Sequence, residues 1–134
     1  MAALTLDASA ALRVVLDASR QSATLDLLAT AEAVYAPTLF VVETANALWK
    51  YVAAKHIAAD DALRLHRDAV DLVDRHLDDA ELFPEALVLA SNLRHPVYDA
   101  LYLVTARRTG SVLSTFDKKL TVLAKRIDIP VAET

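Results

Sequence analysis

Short, wholly apolar runs alternate along this chain with longer stretches whose apolar residues recur every three to four positions. The short runs read as buried strands and the longer ones as helices packed on one face. Residues 3–6 fit a strand, and Asp7-Ala8-Ser9 then begins a helix reaching about residue 16. Residues 22–32 (SATLDLLATAE) open on a serine and keep helical spacing, and residues 34–36 form a strand cut by Pro37. Two long helices follow directly, at residues 38–55 and 59–75, with no room for a strand between them; DALRLHRDAVDLV in the second is strongly amphipathic. Residues 80–83 are expected to be a strand and 84–93 a helix opened by Pro84 in its first turn. Beyond these, 96–108 reads as a helix closed by Gly110, 111–115 as a strand, 117–126 as a helix and 129–131 as a last strand. Strands interleaved with helices imply an α/β fold with a mainly parallel sheet covered on both faces.

The length of 134 residues fits one domain spanning 1–134, with no linker, repeat or low-complexity tract in the sequence.

 Dispersed prolines at 37, 84, 96 and 130 punctuate elements without separating domains. A 55% hydrophobic content beside 24% charged residues excludes a disordered chain. It also leaves a surplus of apolar surface, which points to a homodimer or a hydrophobic partner segment. No apolar run approaches the roughly 20 residues of a membrane span, and the N-terminus lacks the pattern of a secretory signal, so a cytoplasmic protein without membrane contact is expected. The absence of cysteine excludes disulfides, thiolate metal sites and a cysteine nucleophile. With Gly110 as the single glycine, neither a GxGxxG turn nor a Walker loop can be written.

Against this background four acids stand out: Asp7 in LTLDAS, Glu43 in LFVVETANAL, Asp99 in HPVYDALYLV and Asp117 in SVLSTFDKKL. Taking a carboxylate out of water costs several kcal/mol unless something neutralises it. A bound cation is the compensating charge expected here. Asp7 and Asp117 fall just past strand ends, where sites form in parallel sheets, and neighbouring helices can bring Glu43 and Asp99 to the same rim. Converging carboxylates repel and raise one another's pKa unless cations intervene. Oxygen ligands without His or Cys select Mg²⁺ or Mn²⁺. The net charge of −4 argues against a polyanionic partner, but two divalent ions would cancel it, so nucleic acid stays open.

Each acid also has a plain structural explanation. Asp7 can be an ordinary N-cap, Ser114-Thr115-Phe116-Asp117 matches an S/T-x-x-D capping box, and Asp99 sits in a first turn where the helix dipole favours an anion. Glu43 is mid-helix, on one stripe with Asn46, Ala47 and Lys50, which could be a solvated face. Ser9 and Thr115 could bond the metal ligands or cap helices. His95, at a helix entry near Asp99, could support it. His56, His66 and His76 are spaced by ten residues, which separates them around a helix and leaves them as solvated histidines. Trp49, Tyr98 and Tyr102 read as core or interface packing. Arg13, Lys50, Lys118 and Lys119 lie beside the acids and could meet substrate phosphates, or be ordinary helix-surface charge.

The segments LTLDASAAL, PTLFVVETANALWK, YDALYLVTARRTG and LSTFDKKL, in this order and spacing, resemble those of PIN domains, and specifically the VapC-like toxins of VapBC toxin-antitoxin pairs. The resemblance covers nearly the whole chain. It implies a three-layer α/β/α sandwich with 4–5 short strands in a mainly parallel sheet. It further implies an endoribonuclease dependent on one or two Mg²⁺ or Mn²⁺ ions, with Asp7, Glu43, Asp99 and Asp117 as the acidic pocket and Thr115 and Asn46 as supporting residues. A cognate antitoxin occupying the active groove, a toxin dimer, and cleavage leaving a 3′-hydroxyl and a 5′-phosphate are implied as well. The alternative is a catalytically silent PIN-like module that binds RNA or protein. A receiver-type phosphoacceptor domain fits less well, since it wants two adjacent acids after its first strand and strictly alternating elements.

Overall fold

The computed structural model describes residues 2–17, 19 and 22–132, so the extreme ends of the expected 1–134 span lie outside the described residues. Its elements run β1 (Leu4–Leu6), α1 (Ala8–Val15), α2 (Ala23–Thr30), β2 (Val34–Pro37), α3 (Leu39–Ala53), α4 (Ala59–Asp71), β3 (Arg75–Leu77), α5 (Asp79–Leu93), α6 (Val97–Thr109), β4 (Val112–Ser114) and α7 (Lys118–Arg126). The strands form one parallel sheet in the order β3-β2-β1-β4. The chain builds outward from β1 to β2 to β3, then crosses back to lay β4 on the other side of β1. That reversal places a topological switch point between β1 and β4, beyond whose carboxyl ends a crevice opens. Pairing of Leu6 with Ser114 fixes the register there.

β1 is buried at all three residues, as a strand covered on both faces must be. α6 packs against β1, β2 and β4, and residues 100–106 of this helix are all buried, which is why its sequence shows no polar face. Leu6, Phe40, Leu82 and Leu113 join its Leu101 and Leu103 in the core. Gly110 closes α6 at φ 61°, the left-handed conformation that costs glycine nothing. The starts of α3 and α5 are clamped together: Leu39 N–H donates to Asp79 Oδ1 (3.0 Å), and Asp79 N–H donates to Thr38 Oγ1 (3.1 Å).

The expected parallel α/β arrangement holds, but its third strand is misplaced in the sequence reading. Residues 80–83 belong to α5, and the strand is Arg75–Leu77, starting at the residue where the preceding helix is expected to end. Two local causes explain this. Asp78 caps α5 through Ala80 N–H (3.0 Å), and Asp79 and Glu81 supply first-turn negative charge. β3 is an edge strand whose Arg75 is exposed, so its polar residues hide the strand signal. Pro84 therefore lies inside α5 and does not open it. The expected strand at 129–131 reduces to a single parallel bridge between Val131 and Leu113. No helix among the described residues is long and apolar enough to cross a membrane.

Candidate active site

Asp7 is the N-cap of α1: its Oδ1 accepts from Ala10 N–H (2.9 Å) and from Ser9 Oγ (2.7 Å), and its Oδ2 accepts from Thr115 Oγ1. Thr115 Oγ1 in turn accepts from Asp117 N–H (2.9 Å). One buried threonine hydroxyl thus ties the acid after β1 to the acid after β4. Asp117 caps α7, accepting from the backbone N–H groups of Lys119 (2.8 Å) and Leu120 (3.3 Å). It is the cap residue itself, so the expected capping box with Ser114 as cap does not form.

Glu43 reaches the same place from α3. Its Oε1 accepts from the hydroxyl of Tyr102, 2.6 Å away on α6. Asp99, one turn before Tyr102 on that helix, is bonded through Oδ2 to His95 Nε2 at 2.6 Å. All four acids line one cleft of about 440 Å³, with Asn46, Ala47 and Lys50 on the α3 side and Ser9 and Leu12 on the α1 side. The stripe of Glu43, Asn46, Ala47 and Lys50 is therefore a cleft wall.

Burial pushes the Asp7 carboxyl above its ordinary pKa; the bonds from Thr115, Ala10 and Ser9 pull it down, and the charge of Asp117 pushes it up again. Burial raises Glu43 too, the Tyr102 bond opposes this, and Asp99, Asp7 and Asp117 add repulsion. Tyr102 is raised by its own burial and by the charge of Glu43, so it stays a neutral donor. The acids feel one another, as groups in one cleft must.

As placed, no three acidic or histidine side chains among the described residues form a group that could hold a metal ion. The carboxylates instead face the protein donors just named. By donor chemistry the set still fits a hard divalent cation: it is all-oxygen, anionic, partly desolvated and self-repelling.

Other candidates fall around this cleft. Thr115 is buried beneath Asp7 and does not line it. Arg13 faces an adjoining cavity, stacked over Phe116. Lys118 and Lys119 line a separate depression with His95. Trp49 and Tyr98 are 61% and 59% exposed, which places neither in the core. His66 bonds the Val41 carbonyl oxygen (2.9 Å), and half-buried His76 of β3 tilts against Phe40 of α3, so neither is simply solvated. The residue that sequence reasoning passed over is Tyr102: its apolar neighbours mark it as core, and only its i+3 spacing from Asp99 hints at the site.

The family model described as PIN domain matches residues 4–126. A similar solved structure is the crystal structure of PAE2754 from Pyrobaculum aerophilum, with a TM-score of 0.73 and 25% sequence identity, covering 91% of this chain and 86% of that one. Comparison with curated proteins finds no match. The chain belongs to the PIN domain family. Proteins of this family are generally nucleases and generally use divalent metals.

Proposed function

We propose that this chain is a Mg²⁺- or Mn²⁺-dependent endoribonuclease, the toxin of a VapBC-like pair acting in the cytoplasm. The observation that supports it most is the placement of Asp7, Glu43, Asp99 and Asp117, from four separate segments, around one cleft at the switch point of the sheet. These four residues would hold one or two ions, which when bound would activate water and neutralise the phosphate oxygens of an in-line displacement. The chain's other groups support that arrangement. Ser9 and Thr115 fix Asp7, Tyr102 fixes Glu43, and His95 fixes Asp99. Lys50 and Asn46, which line the same cleft, would meet a substrate phosphate, and Arg13, Lys118 and Lys119, which line other depressions, would contact flanking phosphates.

An antitoxin would insert a cation among the acids and lay an apolar helix on α3 and α4, where Trp49, Leu63 and Val52 line a groove of about 290 Å³. Exposed Phe83, Leu87 and Val88 on α5 offer apolar surface for a homodimer.

The second reading is a silent binding module, favoured by one observation: every one of the four carboxylates is already engaged by a protein donor. Incubating RNA with the wild-type chain and with Asp99→Asn in Mn²⁺ separates the two. Cleavage lost in the variant supports the nuclease; RNA binding without cleavage by either protein supports the module.

A further inference from the structure

A cavity of about 780 Å³, larger than the acidic cleft, adjoins it. Ser9 and Leu12 of α1 line both, so the two adjoin along that helix. Three planar side chains face this second cavity: Arg13 of α1, Tyr51 of α3, and Phe116 between β4 and α7. The Arg13 guanidinium lies over the Phe116 ring, 4.3 Å from its centroid. Stacking holds a flexible cation in place and leaves its edge N–H groups pointing outward. Among the described residues Arg13 has no carboxylate partner, whereas Arg64, Arg107 and Arg108 each have one.

Tyr51 is 38% exposed, and among the described residues its ring neighbour is His56, tilted at 6.1 Å. A base could stack on its free face. Leu12 of α1 and Leu16 at its end give the cavity an apolar wall that suits a base. The lining thus suits a nucleotide, with the base between the rings and apolar residues and the phosphate at Arg13. A short chain of bonds connects this seat to the acids: Phe116 N–H donates to Ser9 Oγ (2.9 Å), and Ser9 Oγ donates to Asp7 Oδ1 (2.7 Å).

We infer that the cavity bounded by Arg13, Tyr51 and Phe116 is a nucleoside subsite for the RNA residue adjoining the scissile phosphate, with Tyr51 as stacking platform and Arg13 as phosphate clamp. This rests on the ribonuclease reading, but its test does not depend on cleavage. Ribonucleoside 5′-monophosphates are titrated into the full isotope-labelled chain in the presence of chelator, with Arg13, Tyr51 and Phe116 resonances followed. Saturable shifts at these three residues are expected. Tyr51→Ala, an exposed helical position that alanine suits, should weaken binding about tenfold, the scale of one lost base stack. Arg64→Ala, which removes an exposed cation of α4 that lines neither cavity, should leave nucleotide affinity within about twofold. With RNA as substrate and Mn²⁺ present, Tyr51→Ala should raise KM about tenfold and redistribute cleavage sites while kcat changes little.

Shifts confined to Lys50 and Asn46, or Tyr51→Ala binding like wild type, would overturn the subsite and leave the ribonuclease standing. Binding at the three residues by a chain that cleaves no RNA would overturn the ribonuclease and leave the nucleoside seat in place.

Discussion

The Tyr102 hydroxyl donates to Glu43 Oε1 at 2.6 Å although the two residues are 59 positions apart. Tyr102 is only 2% exposed, so its ring packs as core while its single polar atom surfaces at the cleft. Rotation of Glu43 is restrained by a group that cannot itself move. Tyr102→Phe keeps the ring and removes only the donor. It is expected to weaken Mn²⁺ binding or activity by about 10- to 100-fold, the usual cost of losing a group that orients a ligand. Titration calorimetry with Mn²⁺ checks this, and an unchanged affinity would show that Glu43 needs no such restraint.

Asp7→Asn and Asp99→Asn are each expected to lower metal-dependent RNA cleavage by a factor on the order of a hundred or more, with an unchanged circular dichroism spectrum. Full activity in either variant would remove that acid from the assignment.

For Asp117, capping and chemistry can be separated. Asparagine caps helices about as well as aspartate, whereas alanine loses about 0.5–2 kcal/mol. Asp117→Asn should therefore melt like wild type yet cleave poorly, and Asp117→Ala should lose both stability and activity. Equal activity of Asp117→Asn and wild type would leave this residue with a structural role alone.

The pH dependence of stability has a defined sign. Asp7 and Glu43 are both held above their ordinary pKa, so over the window between unfolded and folded values the native chain keeps protons that the unfolded chain has released. Their contribution is fully present below the ordinary carboxylate pKa of about 4 and is lost as pH rises through the raised folded values. Metal-free protein should accordingly melt at a lower temperature as pH climbs through that window, and Glu43→Gln should flatten the fall and melt higher near neutrality. Calorimetry with chelator present tests this through the difference between the two proteins; identical slopes would contradict it.

What could be read from the sequence followed from how local the signal was. Asp7 and Asp117 sit one to three residues beyond apolar strands, so their shared sheet edge and the cap at Asp7 were legible without coordinates, whereas Asp117 read as the end of a box begun by Ser114 and is itself the cap. The helix pair α3 and α4 was equally plain, because its periodicity runs for several turns. β3 was not, since an edge strand of three residues carrying Arg75 and His76 has no apolar run to announce it. The PIN resemblance was carried by whole segments and survives that local error, because the family match spans residues 4–126 regardless of where one strand begins. The seat formed by Arg13, Tyr51 and Phe116 was illegible for a different reason: its members come from three distant segments, and each alone is an unremarkable surface or packing residue.

The two cap carboxylates give the cleft a built-in reporter. Ala10 N–H is held by Asp7, and the Lys119 and Leu120 N–H groups by Asp117. Anything that draws either carboxylate toward a ligand must loosen those amides, and anything that leaves the acids alone must not. Exchange of these three protons with deuterated solvent therefore reads the state of each acid separately, with no probe attached and no substrate in hand.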